Sequence, residues 1–338
     1  MRYRLLGPSG LRVSELCLGT MTFGEDWGWG ADKATSQQIF SRFAEAGGNF
    51  IDTSNNYTNG TSERYVGECI AAERDRYVVA TKYTLRLDSS NPADINNGGN
   101  SRKSMLRSVE NSLRRLNTDY VDLLYLHMWD FTTPLVEVMQ AANQLIAAGK
   151  VLYFAFSDTP AWVVSHALGL AEAHGWARPV ALQLPYSLRS RDVERAEIPM
   201  ANTHQLAVLA WGVLGGGVLT GKYSQPDDRP RRESDVAAPD IALGEAVMAI
   251  ARASGRSPAQ VAINWVRQQP GNIIPILGCR SLAQLDDNLG CLDVVLSPDH
   301  LDQLGAIAPF TLGFPYRFLH SAHVRKLIFG ETFALLDR

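Results

Sequence analysis

The sequence predicts an α/β fold, a single (β/α)8 or TIM barrel spanning residues 1–338, and three observations predict it. Short apolar runs alternate with amphipathic runs of helical spacing, which is the order of a parallel sheet built from βα units. Eight of the apolar runs read as strands, the number that closes such a barrel. In FIDTSNNY (50–57), YVVATKY (77–83) and VDLLYLHMWD (121–130), an apolar run ends by delivering a polar residue, as barrel strands do at the rim that carries chemistry. With 46% hydrophobic and 20% charged residues, the chain has material for one large core.

Taken in order, Arg2–Leu6 and Leu11–Val13 flank the turn Gly7-Pro8-Ser9-Gly10 and predict an N-terminal β-hairpin that closes the bottom of the barrel. The barrel strands are expected at Glu15–Leu18, Asn49–Asp52, Tyr77–Ala80, Val121–Leu126, Val151–Ala155, Val180–Leu184, Leu206–Ala210 and Ile273–Ile276. Apolar residues recur at helical spacing in Ser36–Ala46, Ser62–Ala72, Arg102–Leu116, Leu135–Ala148, Ala161–His174 and Ser281–Leu289, with a further helix near Pro298–Ala306. Long polar connections are expected at Leu87–Asn100, at Ser224–Asp240 and in the tail from Pro309, lengths that are usually functional or disordered.

Composition narrows the partners. The balance of 32 basic against 35 acidic residues, net −3, gives no footprint for nucleic acid or an anionic membrane. Cys17, Cys69, Cys279 and Cys291 form no CxxC pair or disulfide-like spacing, so buried thiols in a reducing cytoplasm are expected. No export signal is expected, because charge and glycine interrupt the first residues too early. The uncharged stretch from Ile198 to Gly221 is apolar only over Leu206–Leu219 and broken by glycines, short of the roughly 20 residues a membrane span needs. The seven histidines form no HxH or HExxH constellation, so no metal is expected.

Asp52, Tyr57, Lys82 and His127 fall at or just beyond three predicted strands and have complementary chemistry. A tyrosine hydroxyl, with an ordinary pKa near 10, is a poor acid at neutral pH unless a nearby cation stabilises the phenolate. Lys82 would be that cation, Asp52 would hold the ammonium in place, and His127 would donate a hydrogen bond to a carbonyl oxygen. Together they would protonate an oxygen as a hydride arrives at carbon. Any one of them alone reads more simply as a surface or core-edge residue; their joint occurrence at successive strand ends makes the case. A competing motif, Gly216 to Lys222, fits the GxxxxGK spacing of a phosphate-binding loop, but Tyr223 occupies the Ser/Thr position and no acidic partner strand follows. A GxGxxG fingerprint after the first strand is missing.

These and other segments make the chain resemble the aldo-keto reductase superfamily, in the branch that includes bacterial reductases and potassium-channel beta subunits. The resemblance runs end to end, through YRLLGPSGLRVSELCLGTMTFG (3–24), FIDTSNNYTNGTSERYVGE (50–68), TKY (81–83), SRKSMLRSVENSLRRLNTDYVDLLYLH (101–127), WGVLGGGVLTGKY (211–223) and IPILGCRSLAQLDDNLG (274–290). It implies that Asp52, Tyr57, Lys82 and His127 form the family's catalytic tetrad. The implied reaction is reversible hydride transfer between a nicotinamide cofactor and an aldehyde or ketone, a small-molecule carbonyl substrate.

The resemblance also implies cofactor contacts. Thr20, Met21 and Asp52 would lie beside the nicotinamide ribose; Ser157, Asp158 and Gln183 near the carboxamide; Trp211 stacked on the ring. Gly212, Val213, Leu214, Gly215 and Gly216 would cradle the pyrophosphate with Lys222 as its cation. Gly278, Arg280, Gln284, Asp287 and Asn288 match the adenosine end, where Arg280 at a helix start suits a 2′-phosphate, so NADP(H) is expected over NAD. Among Arg229, Arg231 and Arg232, Arg232 has the matching offset from Lys222. Two departures stand out: Asp158 where the family usually has Asn, and Gly212-Val213 where it usually has Ser-Pro. Trp27, Trp29 and Trp129 are expected to wall the substrate pocket, with Phe314 and Tyr316 of the tail as further candidates. A second reading, a cofactor-binding regulatory protein of the channel beta-subunit type with slow or no turnover, is opposed by the presence of His127. Substrate identity and oligomeric state are not legible.

Overall fold

The computed structural model describes residues 1–87, 93–224 and 236–337. The hairpin forms as expected: β1 (Tyr3–Leu5) pairs antiparallel with β2 (Arg12–Ser14), Leu5 opposite Arg12. Its turn is closed by the Leu6 amide donating to Leu11 O and by the Ser9 hydroxyl donating to Leu6 O. Leu6 and Val13 pack with Cys17, Phe50, Val78 and Leu123 in an apolar layer inside the barrel. Gly7, at φ +56°, lies so close to the strands that a Cβ there would stand 2.0 Å from Val180 O. Only glycine tolerates both the angle and the approach.

Eight parallel strands close the barrel: β3 (Cys17–Gly19), β4 (Phe50–Asp52), β5 (Val78–Tyr83), β6 (Val121–Leu126), β7 (Val151–Ser157), β8 (Ala181–Pro185), β9 (Ala207–Trp211) and β10 (Ile273–Gly278). They neighbour one another in chain order, and β10 pairs with both β9 and β3 to complete the ring. Around and after them lie α1 (Lys33–Glu45), α2 (Thr61–Ile70), α3 (Arg102–Leu116), α4 (Leu135–Ala147), α5 (Ala161–His174), α6 (Glu197–Thr203), α7 (Ala238–Ser254), α8 (Pro258–Arg267), α9 (Leu282–Leu289), α10 (Pro298–Ile307), α11 (Tyr316–Leu319) and α12 (Ala322–Phe329). Side-chain caps at Asp32, Ser101, Ser257, Ser281 and Ser297 accept first-turn amides and start α1, α3, α8, α9 and α10.

Several boundaries differ from expectation. β5 continues three residues past Ala80, so Lys82 is inside the strand, and β7 and β10 also run on past their expected ends, to Ser157 and Gly278. The connection expected to reach Asp240 ends earlier, because α7 starts at Ala238, and the tail contains α11 and α12. Of the connection expected at Leu87–Asn100, residues 93–100 are described and are tied down: Asp94 and Asn97 accept from Arg107, and the Asn100 amide donates to Asp130. The four cysteines are free thiols, and burial pushes Cys69 up to about 11 and Cys279 and Cys291 up to about 12, far from the reactive thiolate range. Among the described residues no helix is long and apolar enough to cross a membrane.

Candidate active site

Lys82 is the centre of the site. It is fully buried in β5, and an ammonium has three donors to satisfy. All three are used: Nζ donates to Asp52 Oδ2 at 2.7 Å, to Thr53 O at 2.9 Å and to Tyr57 Oη at 3.0 Å. Asp52, the last residue of β4, accepts on its other oxygen from Gln183 Nε2 at 2.8 Å, so neither carboxylate oxygen is left bare. Burial works against the Lys82 charge, but Asp52 and Tyr57, by charge and by hydrogen bond, outweigh it and raise its pKa.

Tyr57 reaches this cluster through a strained turn. It opens a 3₁₀ turn, Tyr57–Gly60, in which Thr58 (φ +44°) and Asn59 (φ +53°) both adopt left-handed backbone. Two such non-glycine residues in a row persist only where the surroundings hold them. Thr58 Oγ1 does so, donating to Phe23 O at 2.6 Å and accepting from the Ser62 amide at 3.1 Å. Burial raises the Tyr57 pKa from its ordinary value, with Lys82 pulling the other way. The lysine therefore offsets part of that rise and favours the phenolate, without bringing the pKa below its ordinary value.

His127 follows β6 and stands edge-on to Tyr57, ring centres 6.0 Å apart. Its amide donates to Tyr83 O and to Thr84 Oγ1, and its Nδ1 lies 3.2 Å from Ser54 Oγ. Burial first, and the Lys82 charge second, hold its pKa well below the ordinary value, so the ring is neutral. Ser54, Thr84 and buried Glu63 with its partly buried partner Arg115 were missed by sequence reasoning. Glu63 accepts from Thr81 in β5 at 2.6 Å and from Arg115 at 2.6 Å, fixing the strand beside Lys82. The polar run Ser54-Asn55-Asn56 between Asp52 and Tyr57 was the available signal.

The expected cofactor residues lie around the same rim. Thr20 is buried, its hydroxyl donating to Asp52 O and touching Ser62 Oγ, so its side chain braces β3 against β4; Met21 beside it is partly exposed. Ser157 pairs with Gln183 across β7 and β8. Asp158, at φ +40°, accepts from the indole N–H of Trp211 at 3.2 Å, and burial raises its pKa. Trp211 ends β9 and is 41% exposed. After it, Gly212, Gly215, Gly216 and Gly217 all have positive φ, and a Cβ on Gly217 would come within 2.8 Å of Lys222 Nζ. A Cβ on Gly212 or on Gly278 would meet nothing within 4 Å. A run of left-handed glycines with a lysine side chain packed against it fits a phosphate-bearing cofactor.

Other expected contacts also brace the fold. Val213 is buried in the main core, which leaves only its backbone for a ligand. The Gln284 side chain accepts from the Arg280 amide, Asp287 accepts from Gln260, and buried Asn288 donates to Cys279 Sγ. Arg280 itself forms no ion pair among the described residues. Arg229, Arg231 and Arg232 lie outside the described residues. Trp27 stands edge-on to Tyr57 at 6.5 Å and packs on Trp29 at 5.7 Å, whereas Trp129 packs on Phe131. Phe314 and Tyr316 pair with Phe318 and His320 inside the tail.

Residues 15–309 match the model of the aldo/keto reductase family. The norsolorinic acid reductase stcV of Emericella nidulans is 39% identical over 332 residues, 96% of this chain and 86% of that protein. An aryl-alcohol dehydrogenase of Pestalotiopsis microspora is 39% identical over 94% of this chain and 85% of its own length. The aryl-alcohol dehydrogenase [NADP(+)] of Phanerodontia chrysosporium is 38% identical over 341 residues, 93% and 88% of the two chains. With the closed barrel and this match over nearly its whole length, the chain belongs to the aldo/keto reductase family and is an oxidoreductase acting on carbonyl and alcohol groups.

Proposed function

We propose that this chain, as one barrel domain, catalyses the NADPH-dependent, reversible reduction of aldehydes and ketones, aromatic ones preferred, with Tyr57 as general acid and base. The observation that carries the reading is the Lys82 ammonium, buried and shared between Asp52, Thr53 O and Tyr57 Oη. The relatives named for aryl alcohols, and Trp27 beside Tyr57, support the aromatic preference.

When bound, the nicotinamide supplies a hydride to the carbonyl carbon. Tyr57 Oη gives its proton to the carbonyl oxygen, and Lys82, in contact with that same oxygen atom, stabilises the phenolate left behind. Asp52 keeps the ammonium charged and aimed. His127, neutral, donates its one N–H to the carbonyl oxygen and orients it. In alcohol oxidation the phenolate takes the proton back. Thr20, Met21 and Asp52 would hold the ribose end. Ser157, Asp158 and Gln183 would meet the carboxamide, Gln183 with its oxygen or its second N–H, since one N–H is given to Asp52. Trp211 would cover the ring, residues 212–216 with Lys222 and Arg232 would hold the pyrophosphate, and Gly278, Arg280, Gln284, Asp287 and Asn288 the adenosine.

Cofactor oxidation followed by absorbance, with aromatic and aliphatic aldehydes and either NADPH or NADH, tests this. Turnover with NADPH is expected, and Arg280→Gln should lower the NADPH to NADH ratio of kcat/KM roughly 10- to 100-fold, the worth of one charge-assisted hydrogen bond. A ratio unchanged in that variant would remove Arg280 as the phosphate contact. Binding of NADPH with no turnover on any carbonyl would favour the regulatory reading.

A further inference from the structure

A neutral imidazole has one N–H, and which nitrogen carries it is decided by what the other nitrogen touches. For His127 that contact is Ser54: its Oγ lies 3.2 Å from Nδ1, both groups buried, and Nε2 makes no hydrogen bond among the described residues. We propose that Ser54 is a positioning residue that sets the tautomer of His127, donating its hydroxyl proton to Nδ1 so that the ring proton stays on Nε2, the nitrogen presented to a carbonyl oxygen. The inference rests on His127 being the carbonyl donor.

The hydroxyl has a single proton and three acceptors within reach: His127 Nδ1, Asn56 Oδ1 at 2.9 Å and Asn55 Oδ1 at 3.3 Å. Asn55 is anchored, its Nδ2 donating to Leu85 O at 2.8 Å, which fixes its oxygen at the longer of these distances. The Asn56 carboxamide makes no other side-chain hydrogen bond among the described residues, so it is free to turn over and present its NH2 to Ser54 Oγ. Ser54 then accepts from Asn56 and donates to His127. With the opposite sense, Ser54 gives its proton to Asn56, Nδ1 must carry the ring proton, and Nε2 faces a carbonyl oxygen with a lone pair. Only the first arrangement serves reduction. The burial that keeps the ring neutral is what makes the choice of nitrogen matter.

Nitrogen-15 NMR of histidine-labelled protein, with His127→Gln to assign the signal, reads the tautomer without any turnover. The native spectrum should show Nδ1 bare and Nε2 protonated. Ser54→Ala should give a mixture of tautomers and lower kcat roughly ten-fold while leaving cofactor affinity unchanged, the loss expected from one hydrogen bond acting in the transition state. Ser54→Thr should restore both spectrum and rate. Asn56→Asp, which can only accept from Ser54, should drive the proton to Nδ1 and lower kcat further. A native spectrum with the proton on Nδ1, or an Ala variant with an unaltered spectrum, would overturn the proposal. If the Ala variant does not fold, the native, Thr and Asp spectra still decide. No turnover by the native protein on any carbonyl would sink the reductase reading on its own, and native-rate turnover by Tyr57→Phe would remove Tyr57 as the acid, whatever the tautomer.

Discussion

Lys82 and Asp52 depend on each other because neither charge has water to turn to. Lys82→Met leaves Asp52 buried with only Gln183 as donor, and removing one partner of a buried ion pair typically costs about 3–5 kcal/mol. Urea denaturation should show that loss, and Lys82→Met with Asp52→Asn should recover part of it; equal stability of the single variant and the native protein would mean the pair is not buried as described. His127 gives a pH signature. Its folded pKa is depressed, so below the ordinary value of about 6.5 the unfolded chain takes up a proton that the folded one refuses, and stability falls as pH drops through that window. The drop in urea midpoint between pH ~7.5 and ~5.5 should be smaller in His127→Gln. An identical drop would place a charged imidazole in the fold.

At the scale of elements, the glycine loop after β9 is shaped by left-handed backbone that L side chains rarely adopt. Gly217→Ala combines φ +92° with a Cβ 2.6 Å from Lys222 Cε, so the backbone is strained and the lysine side chain must swing away from the loop. Strain of about 1–3 kcal/mol at such a position should weaken NADPH binding ten-fold or more, read by fluorescence titration, while the melting of the barrel changes little. Unchanged affinity would remove this loop from the cofactor site. Sequence legibility also divides by element. All eight barrel strands were visible as apolar runs, but β5 was read as ending at Ala80 because Thr81 and Lys82 look like a loop; they are inside because Glu63 takes the threonine hydroxyl and Asp52 the ammonium. α8 is absent from the expected helices although Gln260, Asn264 and Arg267 recur at helical spacing along one face; in the fold that polar face is turned onto Asp287 and Cys291 rather than to water. α7 was obscured by Gly244, which the fold needs: a Cβ there would stand 2.6 Å from Val218 O, where the helix crosses the glycine loop.

In the whole molecule the two ends of the barrel divide the work. The hairpin and its apolar layer close the end where the strands begin, and the polar cluster gathers where β4, β5, β6 and β8 end. The four candidate catalytic residues were legible because strand closure brings such ends together whatever their distance along the chain. The contact between Ser54 and His127 was not, since it joins a turn to a strand end 73 residues away and no periodicity encodes it. Nor was the occupation of Asn288 and Asp287 by Cys279 and Gln260, which depends on how α9 seats against its neighbours. What the molecule does as a whole is measured most directly by single-turnover reduction of an aromatic aldehyde by NADPH, native protein against Tyr57→Phe, with NADPH affinity measured alongside. The account predicts equal affinity and a rate lower by about 10²- to 10⁴-fold in the variant, the usual worth of a positioned general acid. Equal rates would contradict it, because the proton would then come from somewhere other than the hydroxyl that Lys82 holds.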